Sequence, residues 1–309
     1  MSPPLTVFVC GATGTQGGAT ARHLLSHGAT VHALARDPSS PKAVAIASAG
    51  VKLWPGDFDG EAALRAAIAG TEAVYLNFMP DFTEFGANLR QAKLILRVAK
   101  EAGVRQIVYT SYFSLDQVDE LLSWGANNPL AAFFASKRDI ESEVRTAGFQ
   151  YWTILRPATF MSNYLNPSAS YYDGLVGSGR WNSALREDSV LPIVDTETIG
   201  VFSSTALLGP VRFHARVIAY ADEVISVGQI LQKLSRATGR DLQIVPLSEE
   251  DVLAQRGVNP FVGGQVIMRT MADEVNIDEV RSWGLPLSSF DKFLEREKTA
   301  VEETYLKSA

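Results

Sequence analysis

Short apolar runs separated by longer stretches of helical spacing recur through the first half of the chain. Residues 5–10 form one such run, of strand length, and it stops at Gly11, Gly14 and Gly17, spaced three apart. Residues 18–27 follow, with Ala19, Leu24 and Leu25 as the apolar stripe of a helix. The same rhythm repeats, predicting strands at 30–35, 51–54, 73–78, 106–110 and 151–155, with helices near 41–49, 61–69, 84–102 and 131–147. Alternation of this kind with short joints means a parallel sheet covered on both faces, a doubly wound α/β fold. From about residue 158 the pattern changes. Tyr164, Tyr171, Tyr172 and Trp181 crowd a glycine-bearing stretch at 174–179. Later come a helix opening at Ser226 with Gln229 three positions on, a strand near 242–246 and a charged helix from Ser289. The expected organisation is therefore a nucleotide-binding domain over residues 1–157 and a smaller mixed lobe over 158–309.

The first strand, its glycine turn and the following helix carry the most specific chemistry. Gly11 permits a tight turn, Gly14 lets a pyrophosphate approach the backbone, and Gly17 lets the helix pack close to the strand. The positive end of the helix dipole then faces the phosphates. The end of the second strand reports which dinucleotide is meant. An acid there would hold the ribose hydroxyls of NAD, whereas an arginine suits the 2′-phosphate of NADP. Ala35 and Arg36 occupy that end, with Ser39, Ser40 and Lys42 close behind. Asp37, before Pro38, has the position of a turn or helix-capping residue. Arg36 is thus the expected phosphate anchor and NADP the expected cofactor. Ligands of doubly wound sheets lie beyond the carboxyl ends of the strands. The turns after Cys10, Ala35, Trp54, Phe78, Thr110 and Leu155 are expected to line one crevice, with Asp57 and Phe58 near the adenine and residues 77–80 along the ribose and pyrophosphate.

Composition narrows the partners. Hydrophobic residues make up 46% and charged residues 20% of the 309 positions, the balance of a well-packed globule. A net charge of −6 without a Lys/Arg run argues against direct nucleic-acid or anionic-membrane binding. No apolar run approaches the length of a membrane span, and Met1-Ser2-Pro3-Pro4 has no signal-peptide character. A cytoplasmic location is expected, with the nucleus also open. The lone Cys10 reads as a small core hydrophobe, and His23 and His27 as dipole partners near a helix C-terminus rather than metal ligands.

The runs GATGTQGG (11–18), ARDP (35–38), PGDF (55–58), FFASK (133–137) and LRPATFMSN (155–163) together resemble the NmrA-like family of atypical short-chain dehydrogenase/reductases. Residues 194–208 are also similar to a helix of that family. The resemblance implies an extended Rossmann fold, bound NADP and a small C-terminal lobe. It implies cofactor contacts from Gly11, Thr13, Gly14, Thr15, Gln16, Gly17, Arg36, Asp57, Asn77, Phe78, Met79, Lys137, Phe160 and Asn163.

One position departs from the reductase pattern. Catalytic short-chain reductases carry Tyr-x-x-x-Lys, and here the spacing survives as Phe133 to Lys137 without the phenol. Lys137 is then either an acid or base in a dry site or a ribose ligand with no proton transfer. Ser111, Tyr112 or Ser114 could supply a hydroxyl, and Phe133, Tyr164, Tyr171, Tyr172 and Trp181 could wall a substrate pocket. Two readings remain: an NADP(H) enzyme acting on a small aromatic or polycyclic molecule, and a redox sensor that binds a regulatory partner protein.

Overall fold

The computed structural model describes residues 4–79, 84, 86–125 and 128–307. The chain divides into two compact units that interleave in sequence. Unit 1 comprises Met1–Tyr112, Phe133–Arg156 and Ile199–Ile218; unit 2 comprises Phe113–Ala132, Pro157–Thr198 and Ala219–Ala309. The boundary near 157 is therefore one of several, because 113–132 and 199–218 each belong to the unit opposite to their sequence neighbours.

Unit 1 is built on β1 (Thr6–Val9), β2 (Thr30–Ala35), β3 (Lys52–Pro55), β4 (Ala73–Leu76), β5 (Gln106–Thr110) and β6 (Tyr151–Pro157). The helices between them are α1 (Thr15–Ser26), α2 (Pro41–Ser48), α3 (Glu61–Ile68) and α4 (Ala87–Glu101). Two more follow β5: α5 (Val118–Ser123) and α6 (Pro129–Thr146), of which residues 133–146 lie in unit 1. Every ladder joining β1 to β6 is parallel, and β1 lies between β2 and β4, so the strand order reverses there. Strands β4 and β5 are buried along their whole length; β4 reads as an unbroken apolar run, while the polar ends of β5, Gln106 and Thr110, are buried with hydrogen-bond partners. Phe8, Val74, Leu76, Ile95, Ile107, Ile140 and Ile154 form the centre of this core. Each such side chain contributes roughly 1.5–3 kcal/mol by leaving water. The returning segment at 199–218 is tied in by side chains of the sheet. Gln106 Nε2 donates to the Ala206 carbonyl at 2.8 Å, and Thr153 Oγ1 to the Phe213 carbonyl at 3.0 Å.

Unit 2 holds β7 (Thr159–Phe160), β8 (Arg180–Ser183), β9 (Val190–Val194), β11 (Glu223–Ser226) and β12 (Gln243–Pro246), while β10 (Arg216–Tyr220) is the seventh strand of the large sheet. Strand β9 pairs with β11 antiparallel and with β7 parallel; β8 pairs with β12. The Ser226 expectation holds in atomic detail. Gln229 N donates to Ser226 Oγ at 3.1 Å and Ser226 N to Gln229 Oε1 at 2.8 Å, a reciprocal cap that starts the helix Val227–Thr238. The charged helix expected from Ser289 is two helices, Phe290–Arg296 and Lys298–Tyr305, separated at Glu297. Arg296 anchors this end. Its guanidinium meets both oxygens of the fully buried Asp195 at 2.7 Å. Neighbouring Asp222 accepts from Asp195 N, Thr198 Oγ1 and Ser288 N at 2.6–2.8 Å, while burial pushes its carboxyl up to about 6.

Candidate functional site

The turn after β1 has the conformation that its glycines predict. Gly11 has φ +67°, a left-handed value that side chains disfavour, and Gly14 N donates back to the Gly11 carbonyl at 2.8 Å. A Cβ at Gly17 would collide with the backbone carbonyls of Gly11 and Cys10, so the first turn of α1 rests directly on the loop. Gly14 is exposed and forms the N-cap of α1 without a side-chain hydrogen bond, and no acidic residue lies in the first helical turn. The helix therefore presents its unpaired N–H groups and positive dipole end at the strand-order switch of unit 1. Thr13 and Thr15 border this turn, and the buried Gln16 Oε1 has no hydrogen-bond partner. The space at Gly14 and the donors of the first turn fit a pyrophosphate, and the unpaired Gln16 Oε1, an acceptor, fits a hydroxyl of the ligand rather than a phosphate oxygen.

The β2 end separates the roles of its two charged residues. Arg36 is exposed and has no ion pair among the described residues. Asp37 Oδ1 accepts from Ser39 N at 2.9 Å and Ser39 Oγ at 2.6 Å, which lowers its pKa. One oxygen of the exposed carboxylate is thus engaged within its own turn. Ser40 N and Oγ both donate to the Asp37 carbonyl, and Ser40 caps α2 ahead of Pro41. Lys42 is exposed on the first turn of that helix. Asp57 Oδ1 accepts from the N–H groups of Asp59 and Gly60 at 3.0 Å, shaping the turn into α3. Phe58 packs edge-on against Phe78, with ring centroids 5.8 Å apart. Asn77 approaches Gly11 and Met79 is 84% exposed; Pro80, the last of that expected contact run, lies outside the described residues.

The segment 133–137 lies within one helix, α6, which brings Phe133 and Lys137 to one face, four positions apart. Lys137 is 5% exposed, and Nζ lies 3.4 Å from the Phe78 carbonyl, 5.6 Å from the Tyr109 ring centre and 5.8 Å from that of Phe133. Burial lowers its pKa from the ordinary 10.5 to about 8, with the charge of Glu141 opposing the shift. Glu141, one turn further along α6, is itself buried and held by Arg156 at 2.8–2.9 Å and Arg145 at 3.0 Å. Glu141 was not singled out by sequence reasoning; its spacing of four from Lys137 is the signal that marks it. Tyr112 closes the other side of Phe133, its ring 5.7 Å from Phe133 and 5.3 Å from Phe134 in edge-on contacts. Ser111 is buried beside Tyr109, whose phenol burial raises well above its ordinary pKa. Ser136 Oγ is buried without a partner. Unit 1 thus brings Lys137, Ser111, Tyr112 and Phe133 together with the strand ends.

The aromatic residues of unit 2 have another setting. Tyr164 and Trp181 are fully buried in that unit's own core, and Tyr172 packs against both, at 4.8 and 4.9 Å between ring centres. Tyr171 is 55% exposed and stacks on Phe261. Core packing accounts for Tyr164 and Trp181 without a ligand. Phe160, in β7, and Asn163, in the turn Met161–Tyr164, are half-buried members of unit 2. Ser114 has its hydroxyl and N–H bound to the Glu274 carboxylate.

A parallel sheet in this order, with a glycine turn opening a helix at its switch point, defines a Rossmann-type α/β protein. The NmrA-like family model matches residues 4–302, and the chain belongs to that family. It is 28% identical over 260 residues to an NmrA-like family domain-containing oxidoreductase of Malbranchea aurantiaca, covering 78% of this chain and 75% of that protein. Among solved structures, an NADPH-dependent quinone oxidoreductase of Escherichia coli, complexed with NADPH, aligns with a TM-score of 0.71 at 21% identity, covering 94% of this chain and 99% of that one. NmrA, a negative transcriptional regulator in complex with NAD, aligns with a TM-score of 0.73 at 18% identity, covering 99% of this chain and 98% of that one. No helix among the described residues is long and apolar enough to cross a membrane.

Proposed function

We propose that the protein is an NADP(H)-dependent oxidoreductase acting on a small aromatic or polycyclic molecule, with Lys137 as its proton-handling group. The observation that carries this reading is the buried Lys137 amine, set between the Tyr109 and Phe133 rings with a pKa near 8. An amine poised close to neutral pH can give or take a proton, which Phe133 cannot. The first turn of α1, with Gly14, would hold the pyrophosphate, and the free Arg36 guanidinium the 2′-phosphate. The bound cofactor would supply or accept hydride at its nicotinamide ring. Lys137 would hold or move the proton that accompanies that transfer, or drive an acid–base rearrangement of the bound molecule. Tyr112 and Phe133 would offer it an apolar edge, and the Ser111 hydroxyl a hydrogen bond. The oxidoreductase name of the Malbranchea relative and the NADPH of the quinone oxidoreductase support the same chemistry.

The test is NADPH consumption against a panel of quinones, enones and imines. NADPH should bind about tenfold or more tightly than NADH, one charged contact being worth ~1.5–3 kcal/mol. Lys137→Met should lower turnover well beyond its effect on NADPH affinity and remove a break near pH 8 from the rate profile. Turnover that falls only in proportion to lost cofactor binding makes Lys137 a ligand alone. The absence of a phenol at 133 favours a second reading, a catalytically silent NADP(H) sensor that binds a regulatory protein, and the NmrA regulator is the relative that fits it. Saturable NADPH binding with no turnover across the panel selects that reading.

A further inference from the structure

The loop after β2 contains an arrangement that bears on cofactor choice and rests on the reading of Arg36 as the 2′-phosphate anchor. Two opposite charges stand next to each other there, and they favour opposite cofactors. Arg36 attracts a phosphate dianion. A free carboxylate one residue on would repel it, and would accept hydrogen bonds from the two ribose hydroxyls of the unphosphorylated cofactor. One oxygen of this exposed carboxylate, Oδ1, is already engaged. Ser39 donates to Asp37 Oδ1 twice, from its backbone at 2.9 Å and from its hydroxyl at 2.6 Å. The hydroxyl bond is the one that depends on the side chain. Ser40 fixes the same turn through the Asp37 carbonyl, and Pro41 removes the next backbone donor at the start of α2. Arg36, meanwhile, has no ion pair among the described residues to neutralise it.

We propose that Ser39 is a specificity-determining positioning residue: its hydroxyl orients the exposed Asp37 carboxylate through Oδ1 and so turns it away from the Arg36 side, leaving that side open to a 2′-phosphate. Ser39 acts through Asp37 and needs no contact with the cofactor. The charge of Asp37 persists throughout the working pH range, since the same hydrogen bonds stabilise its ionised form. The loop therefore does not remove the acid. It commits the acid to a local partner.

Titration of NADPH and NADH onto the whole protein, followed by nicotinamide fluorescence, tests this with four variants. Ser39→Ala should reduce the NADPH-to-NADH affinity ratio by about threefold to tenfold, chiefly by weakening NADPH and strengthening NADH. Ser39→Thr, which keeps the hydroxyl, should retain the ratio. Asp37→Asn should keep or raise it. The double variant Ser39→Ala with Asp37→Asn is decisive. If the carboxylate is the agent, the double variant regains at least the original ratio. If it falls as far as Ser39→Ala alone, loop loosening rather than charge is responsible and the proposal is overturned. An unchanged ratio in Ser39→Ala, in a protein that does prefer NADPH, also overturns it while leaving the Arg36 reading intact. Equal binding of both cofactors by the unaltered protein instead removes the Arg36 reading, and the role of Ser39 with it. Thermal unfolding of each variant in the absence of cofactor identifies any that fails to fold, and Ser39→Thr and Asp37→Asn then carry the comparison.

Discussion

At the residue scale, Lys137 leaves a thermodynamic trace that needs no substrate. In the unfolded chain its amine titrates near 10.5, whereas in the folded protein burial lowers that to about 8. A depressed folded pKa means that the native state sheds its proton first. Between these values the unfolded state binds more protons, so stability rises with pH; as pH falls through about 8 that gain is lost. The full gain is about 3 kcal/mol, and roughly two-thirds of it is reached by pH 9.5 or so. Denaturant unfolding at pH 7.5 and 9.5 should therefore show the unaltered protein gaining stability relative to Lys137→Met, in which this contribution is absent. Parallel pH dependence in both proteins would mean that the amine is solvated and ordinary. The buried Tyr75, Tyr109 and Cys10, whose pKa values burial raises, shift stability the opposite way as pH rises, but they are common to both proteins and so cancel in the comparison.

At the scale of the element, the strand–turn–helix at 6–26 assigns different work to glycines three residues apart. Gly17 is required by packing, because a methyl group there meets carbonyls of the turn, which cannot move without displacing β1. Gly17→Ala should cost about 2 kcal/mol or more of stability. Gly14 is exposed, has an extended backbone that any residue can adopt, and would bring a Cβ only to 3.2 Å from the Gly11 carbonyl. Gly14→Val should keep the fold within about 1 kcal/mol and abolish NADPH binding, since its side chain fills the phosphate's place. Calorimetric unfolding and cofactor titration on the two variants separate these effects. Normal NADPH binding by Gly14→Val would place the phosphates elsewhere.

For the whole molecule, the units are defined by contacts and not by sequence order. Residues 199–218 belong to unit 1, where they supply the carbonyl partners of Gln106 and Thr153 and the buried side chains of Ile199, Phe202, Ala206 and Phe213. A fragment ending at Pro157 loses all of these. Its Gln106 and Thr153 side chains would be left unpaired against a face stripped of its cover. Such a fragment should lack a cooperative thermal transition, although it contains every strand from β1 to β6 and the whole glycine turn. Circular dichroism and differential scanning calorimetry on the fragment check this; a transition like that of the full chain would make the returning segment dispensable.

Most of unit 1 was legible in the sequence because its signals are local. Strands β2 and β5 fall where their apolar runs predict, Gly11, Gly14 and Gly17 encode a turn within seven residues, and the cap at Ser226 needs only Gln229 three positions on. Asp37 was readable as a turn residue for the same reason, its partner being two residues away. The end of β4 was less legible, since the run expected as a strand over 73–78 leaves the sheet after Leu76 with no glycine or proline at 77 or 78 to mark the change. What an aromatic residue faces was not local at all. Trp181 and Tyr164 look alike in sequence whether they wall a pocket or fill a core, and their neighbours in that core include Phe290, more than a hundred residues on. The same holds for Lys137. The FFASK spacing sets its helix face, but its pKa comes from burial among Phe78, Tyr109 and Glu141, brought together by β4, β5 and α6. Short-range backbone geometry thus determined the elements and the phosphate turn, whereas desolvation, which depends on everything folded around a group, was decided by the tertiary structure alone.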